Sequence, residues 1–417
     1  MEFINNISGW LFLLLGLAIS IALHEIGHLL PAKKFGVKVT KYMVGFGPTL
    51  FSRKRGDTEY GIKAIPLGGY IQMVGMLPPS QSSISHKNLW QKLTAGAQPT
   101  EQIEIALEDQ GRTFYELAPW KKLIIMFGGP FANLLIAIVL ALVLFSGFGT
   151  YERTSTVRDI VSCVPTDANP NCVEATPVSP STKAGLRSGD KIVSFDGQPV
   201  ERWTDVEEQL AQSVGRTIQI VVERSGVQQT LSIDPVLMTL DGSSRPYLGV
   251  YLETERVQQT PAVAIDQLGA MMAATGSMII QLPLQAGQAL SELAPGSPRS
   301  QEGAISIIGL GQYSGQIAAN ADITFEDKML SQLGLLMSLN VALFVFNMVP
   351  LVPLDGGHIA GAVYESAKRG IWRIRGKKWE RPVDTGQMMP VAYFVAVLLI
   401  VLTVVLVLRD ILNPMSL

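Results

Sequence analysis

Long apolar stretches alternate with polar, glycine-rich ones along this chain. A helix needs roughly 20 mostly apolar residues to cross a bilayer. Four segments fit that length: Trp10–Leu30, Leu123–Phe145, Leu333–Val352 and Val391–Leu408. The first is interrupted near its end by His24, Glu25 and His28. The second contains Gly128-Gly129-Pro130 and Asn133, the third carries Asn340 and Asn347, and the fourth has no charge. A weaker run, Leu268–Leu284, contains Thr275, Ser277 and Gln281 and reads as a soluble or surface-lying helix.

A different pattern follows the first span. Tyr42–Pro48, a charged turn over Arg53–Asp57, Tyr60–Ile65 and Gly68-Gly69-Tyr70-Ile71-Gln72-Met73-Val74 alternate and are rich in glycine. That predicts short β segments close to the first span. Residues 77–113 are polar and acidic, with a short helix predicted over Thr100–Gln110 and no evident chemistry. After the second span, the run from Pro180 to Gly197 mixes turn residues with strand-like apolars. Ile218–Val222 and Gln229–Ile233 predict two further strands around a Ser225-Gly226 turn. Residues 260–330 give no firm element, although Gly303–Ile308 could pack on a membrane surface.

Composition agrees with the spans. Hydrophobic residues make up 47% of the 417 and charged residues 16%, against about 25% charged in a soluble protein. The net charge of -2 gives no excess that would point to nucleic acid. The N-terminal apolar stretch lacks a basic n-region and a small-residue cleavage site, so it does not read as a signal peptide. Lys33, Lys34, Lys38, Arg53, Lys54 and Arg55 follow the first span; Lys368, Arg369, Arg373, Arg375, Lys377, Lys378 and Arg381 separate the third from the fourth. Positive loops stay in the cytoplasm, which puts both termini and residues 150–330 outside. Cys163 and Cys172 fall in that outer segment, across a short loop. Disulfides persist in oxidising compartments, so a bridge is expected, with two unpaired thiols as the alternative.

His24-Glu25-Ile26-Gly27-His28 is the strongest chemical signal. Residues four apart share a helix face, so both imidazoles can reach one metal, and Glu25 can take a proton from a metal-activated water. Such groups are costly inside an apolar span; the alternative is a polar, snorkelling helix end. Zinc in a hydrolase takes three protein ligands and leaves one position open. Of the two other histidines, His86 sits in a polar loop and reads as solvated. His358 closes the sequence Leu354-Asp355-Gly356-Gly357-His358, whose glycines permit tight turns. Chemistry leaves Asp355 and His358 tied as third ligand, with Asp355 as a helix cap the further alternative.

His24-Glu25-x-x-His28 in a first span and Leu354-Asp355-Gly-Gly after a third resemble the site-2 protease family of intramembrane zinc proteases. The likeness is closest to the bacterial regulator-of-sigma-factor proteases. Phe114-Tyr115, Pro119-Trp120-Lys121-Lys122 and Gly129-Pro130-x-x-Asn133 look like that family's lead into its second span. Asn347-Met-Val-Pro350 looks like its Asn-x-x-Pro motif. The resemblance implies that Asp355 is the third ligand, with His358 in local support. It further implies that Asn133 and Asn347 hold substrate or orient the site, where the plainer role is bonding between helices. A substrate must be held extended to be cut, and region 42–76, with Gly68, Gly69 and Tyr70, fits a sheet edge that could add it as a strand; the resemblance implies a membrane-associated β-hairpin region there, with an ordinary cytoplasmic hairpin as the alternative. Ala184-Gly185-Leu186-x-x-Gly189-Asp190 resembles a PDZ domain, and Tyr247-Leu248-Gly249-Val250 its carboxylate-binding loop.

The expected architecture is a polytopic α-helical membrane protein with about four transmembrane helices, a membrane-associated β-hairpin region and an extracytoplasmic β-rich PDZ-like domain. Its parts would be 1–150 with the HExxH motif, 151–260 as the PDZ-like domain, 261–330 as linker or surface helix, and 331–417 with the LDGGH motif. The expected activity is zinc-dependent intramembrane proteolysis. By resemblance, the partners are the lipid bilayer and single-pass substrates such as trimmed anti-sigma factors or signal peptide remnants, with the PDZ domain as size filter or docking site. A non-catalytic scaffold displaying a PDZ module would have no use for Glu25. A metal transporter would need more intramembrane ligands.

Overall fold

The computed structural model describes residues 2–76, 109–165, 172, 176–240, 243–293, 305–376 and 389–413. His86 and most of the Thr100–Gln110 segment lie outside the described residues, as do Lys377, Lys378, Arg381 and the start of the Gly303–Ile308 run. The chain forms two compact units, Met1–Leu144 with Thr260–Leu417, and Phe145–Gln259.

The first unit is a helix bundle. Helix α1 (Glu2–Lys34) runs four residues beyond the expected Leu30, through Pro31. α2 (Pro119–Ala141) starts with proline at its first position, where the missing N–H costs nothing. α7 (Phe325–Asn347) stops five residues short of the expected Val352, because Pro350 and Pro353 cannot continue it. α8 (Asp355–Ile374) is a helix where sequence showed only a basic loop, and α9 (Met389–Leu412) is the last. α1 and α7 run parallel: Gly16 lies against Leu336 and Ser20 accepts from the Asn340 amide. α1 and α2 run antiparallel, since Gly27 meets Gly128 while His24, nearer the N-terminus, meets Asn133 further along α2.

Among the described residues five helices are long and apolar enough to cross a membrane, one more than the four expected. The extra one lies in α5 (Pro261–Ser291), where a surface helix was expected, because Pro261–Leu282 lengthens the weak apolar run to 22 residues. Both ends of α5 nevertheless sit at one end of the bundle. It starts directly after Gln259, whose N–H bonds to the Phe145 carbonyl just beyond α2. At its other end Ala289 packs on Leu402 and Leu406, and Glu292 pairs with Arg409, late in α9. Asp410 in turn accepts from Ser306, the N-cap of α6 (Ile307–Ala319), which packs Gly311 and Ser314 on Trp10 and Gly9 at the start of α1. These contacts put both termini of α5 at the end of the bundle from which α7 sets out parallel to α1.

The hairpin is longer than the short segments expected. β1 (Val39–Arg55) and β2 (Thr58–Met73) fold so that residues 41–44 lie beside both 59–62 and 69–72. The segment 69–73 pairs only with 39–44, which leaves its outer side as a sheet edge among the described residues. Leu29, Ala32, Val39, Met73, Ile125 and Met126 form a common buried cluster, and the Tyr42 hydroxyl donates to the Ala22 carbonyl. The hairpin is therefore fastened to α1 beside its two histidines.

In the second unit, β10 (Val250–Val257), β3 (Thr150–Ile160), β4 (Lys191–Phe195), β6 (Ile218–Arg224) and β7 (Val227–Ile233) form the sheet in that order. β6 and β7 join at the expected turn, with Ser225 and Gly226 both at positive φ, as a two-residue hairpin requires. Helices α3 (Pro180–Ala184) and α4 (Thr204–Gln212) accompany the sheet, with short β5 (Gln198–Pro199) paired to β4. A separate hairpin joins β8 (Val236–Leu240) to β9 (Ser243–Tyr247). Ile192, Phe195, Ile218, Ile220, Val222 and Ile233 are fully buried; each such side chain contributes about 1.5–3 kcal/mol. Buried Asp190 takes a bidentate bond from Arg224. Cys163 and Cys172 are joined in a disulfide.

Candidate active site

The site is assembled from α1, α2, the turn after α7 and the first residue of α8. Helical spacing puts His24 and His28 on one face of α1. Asp355 arrives because the chain breaks after Asn347 and restarts as α8, with Asp355 in the first turn. Gly356 and Gly357 allow that restart: a Cβ at either would lie 2.2 and 2.5 Å from backbone atoms of Val349 and Val352.

Three donor atoms converge. His24 Nε2 is 3.2 Å from His28 Nε2, and Asp355 Oδ2 is 3.3 and 3.4 Å from the two. Zinc bonds to histidine nitrogen and carboxylate oxygen are about 2.0–2.2 Å, and a tetrahedron with that radius has edges of about 3.3–3.6 Å. The three separations therefore lie at or close to the edge lengths of a zinc site. His28 Nδ1 donates to the Ile125 carbonyl at 2.7 Å, so its Nε2 carries a bare lone pair. Lone pairs and a carboxylate facing one another this closely repel unless a cation lies between them, and Asp355 Oδ2 has no hydrogen-bond partner. The donor set fits zinc. Among the described residues this is the group of histidines and acids that meets at one point. His358 sits one turn along α8, outside the set, and burial holds its imidazole below the ordinary histidine range. Of the two residues that sequence chemistry left tied, Asp355 is the one in the converging group.

α2 offers no donor to the cluster but shapes it. Asn133 is fully buried, and its Nδ2 lies 3.2 Å from His24 Nδ1 while its Oδ1 has no partner. A metal on Nε2 leaves the proton on Nδ1; a half-turn of the amide then offers Oδ1 as its acceptor. Gly128 is in backbone contact with Gly27: a Cβ there would lie 2.0 Å from the Gly27 carbonyl. A Cβ at Gly129 would lie 2.1 Å from His28 Nε2. These contacts account for the paired glycines of the second span, and the Ile125 carbonyl, a backbone group, left no trace in the sequence.

Glu25 is buried and its carboxylate accepts from the Ile71 backbone N–H. Beside it a cavity of about 250 Å3 opens onto His24, His28 and Asp355. Its walls include Gly69, Tyr70 and Ile71 from the sheet edge, Asn347, and the unforeseen Met73, Met76 and Met126. Gly69 matters because a Cβ would come within 3.0 Å of the Glu25 side chain. Gly68, at positive φ, lies against the Phe46 ring. The site joins a buried carboxylate, three converging donor atoms that fit zinc and the edge of a strand.

Comparison with known proteins agrees with this chemistry. The family model described as peptidase family M50 matches residues 12–389. The zinc metalloprotease Rip1 of Mycobacterium tuberculosis is 31% identical over 99% of both chains. Metalloprotease MmpA of Caulobacter vibrioides is 27% identical over 86% of each, and zinc metalloprotease RasP of Geobacillus kaustophilus 23% over 93% of this chain and 94% of its own. The chain belongs to peptidase family M50, the site-2 proteases, and is a multi-pass membrane zinc metalloendopeptidase.

Proposed function

We propose that His24, His28 and Asp355 hold the zinc, that Glu25 is the general base, and that the enzyme cuts single-pass membrane proteins within or beside the bilayer. The observation that carries this reading is the near-tetrahedral spacing of three donors with Glu25 beside them. Bound zinc supplies Lewis acidity toward the scissile carbonyl and the attacking water. Glu25 takes the proton from that water and passes it to the leaving amine, with the Ile71 N–H holding its carboxylate in place. A helical substrate has its carbonyls bonded and shielded, so it must be unwound. Addition as a strand to the edge at Gly69–Met73 would do this, and Tyr70 and Asn347 line the cavity beside that edge. Asn133 orients His24, and His358 supports the start of α8.

The basic residues of α8 and those after α1 support a cytoplasmic position for the metal end of the bundle. Both termini and the 145–259 unit are then extracytoplasmic, in keeping with the disulfide. We assign that unit as the PDZ-like domain, a size filter or docking site for substrates already trimmed outside, anti-sigma factors or signal peptide remnants among them. The test uses protein in proteoliposomes with a single-pass substrate of short ectodomain. Cleavage should stop with a chelator and resume with zinc. Glu25→Gln should keep its zinc yet cut about 10²–10⁴-fold more slowly; cleavage by that variant at the wild-type rate contradicts the assignment.

A further inference from the structure

Lys122 and Glu365 are 243 residues apart, yet Lys122 Nζ lies 2.9 Å from Glu365 Oε2. Their side chains are 6% and 2% exposed. The second Glu365 oxygen takes a 2.6 Å bond from Arg369, so the carboxylate is held by two cations. Burying charges is costly, and a buried pair is weak evidence for stability as such. What this pair fixes is geometry. Lys122 is in the first turn of α2, three residues before Ile125, whose carbonyl holds His28. Glu365 is ten residues after Asp355 on α8, about 15 Å along the helix and roughly 80° around it. α8 is therefore a lever. Its fulcrum is Gly356-Gly357, pressed on the backbone of Val349 and Val352, and its long arm is pinned by Lys122. Rotation or tilt of the arm would swing the Asp355 carboxylate away from the two imidazoles.

We propose that the Lys122–Glu365 ion pair positions Asp355 by locking α8 onto α2, so that one helix sets all three metal ligands: His28 through Ile125, His24 through Asn133, and Asp355 through Lys122. This rests on Asp355 being a ligand. Glu365→Gln removes the pair with an isosteric side chain, and Lys122→Met with an unbranched apolar one shorter by a single atom. Gln332→Ala is the comparison: it removes a buried bond to Ser314, toward the opposite end of the bundle, and perturbs stability without touching the lever. Zinc affinity is read on the folded, monodisperse fraction by chelator competition, and ligand geometry by the visible spectrum of the cobalt-substituted protein. Lys122→Met and Glu365→Gln should each weaken metal binding about 10–100-fold, as loss of a ligand-orienting partner does, and alter the cobalt bands. Gln332→Ala should change neither. If Lys122→Met does not fold, Glu365→Gln alone gives the reading. Wild-type affinity and spectrum in the pair variants overturn the proposal. Asp355→Ala runs in parallel: if it keeps full zinc, the ligand assignment itself has failed, whereas zinc loss there with intact binding in the pair variants rejects only the lever.

Discussion

Gly129→Ala is a sharp test of how tightly the metal cluster is packed. The new methyl group would lie 2.1 Å from His28 Nε2 and 2.6 Å from its Cε1. Ordinary contact begins near 3.4 Å, so ring or helix must move by roughly 1.3 Å, where zinc sites tolerate about ±0.2 Å. The ring cannot simply rotate away, because Nδ1 is fastened to the Ile125 carbonyl on the same helix as the new methyl. Separating α1 from α2 is also resisted, because it would open the buried cluster in which Leu29 and Ala32 pack with Ile125 and Met126. The substitution should thus displace one ligand and leave the bundle assembled. Loss of a ligand-orienting contact costs 10–100-fold in metal affinity; displacement of the ligand itself should reach the upper end, about 2.8 kcal/mol at 1.4 per tenfold. Chelator competition on detergent-purified protein measures this, with the helical circular dichroism signal as the folding control. A folded Gly129→Ala protein whose zinc affinity stays within about threefold of wild type would refute the packing argument.

Two other outcomes are expected. Gly69→Val places a branched side chain against Glu25 and Ile21 at the sheet edge, so cleavage should fall while zinc stays bound; unchanged turnover of a single-pass substrate would rule out that edge as the substrate platform. In the 145–259 unit, burial raises the Asp190 carboxyl but the Arg224 bonds and the Arg187 amide outweigh it, and the net shift is downward. A lowered folded-state value contributes stability above the unfolded carboxyl range near 3.9, lost as pH falls through the folded value. The thermal midpoint gap between wild type and Asp190→Asn should be wide at pH 6 and narrow toward pH 3; a gap independent of pH counts against this.

The parts of the fold that were legible in the sequence are those with a local period or a local chemical need. His24, Glu25 and His28 announce themselves by helical spacing, and Ser225-Gly226 by the positive φ its turn requires. What could not be read there depends on contacts distant along the chain. α8 looked like a basic loop because Lys368, Arg369 and Arg373 dominate it, and only packing on α2 reveals Glu365 as a buried partner. α5 read as a soluble or surface-lying helix over 268–284, and its apolar extension is apparent only with the helix start at Pro261. Residue chemistry left Asp355 and His358 tied and only the family resemblance favoured Asp355; the turn after Asn347, which brings Asp355 to the imidazoles, has no local signature. The tautomer of His28 is set by a main-chain carbonyl, and no residue type encodes that.

Whether His24, His28 and Asp355 hold the zinc can be read by X-ray absorption at the zinc edge of the Glu25→Gln protein, which should hold its metal without turning over. The expected signal is two imidazoles and oxygen scatterers from Asp355 and solvent, all at about 2.0–2.2 Å, with zinc occupancy lowered in Asp355→Ala and the carboxylate contribution gone from the metal that remains. A three-imidazole signal, which would bring in His358, or a spectrum unchanged by Asp355→Ala, would contradict it.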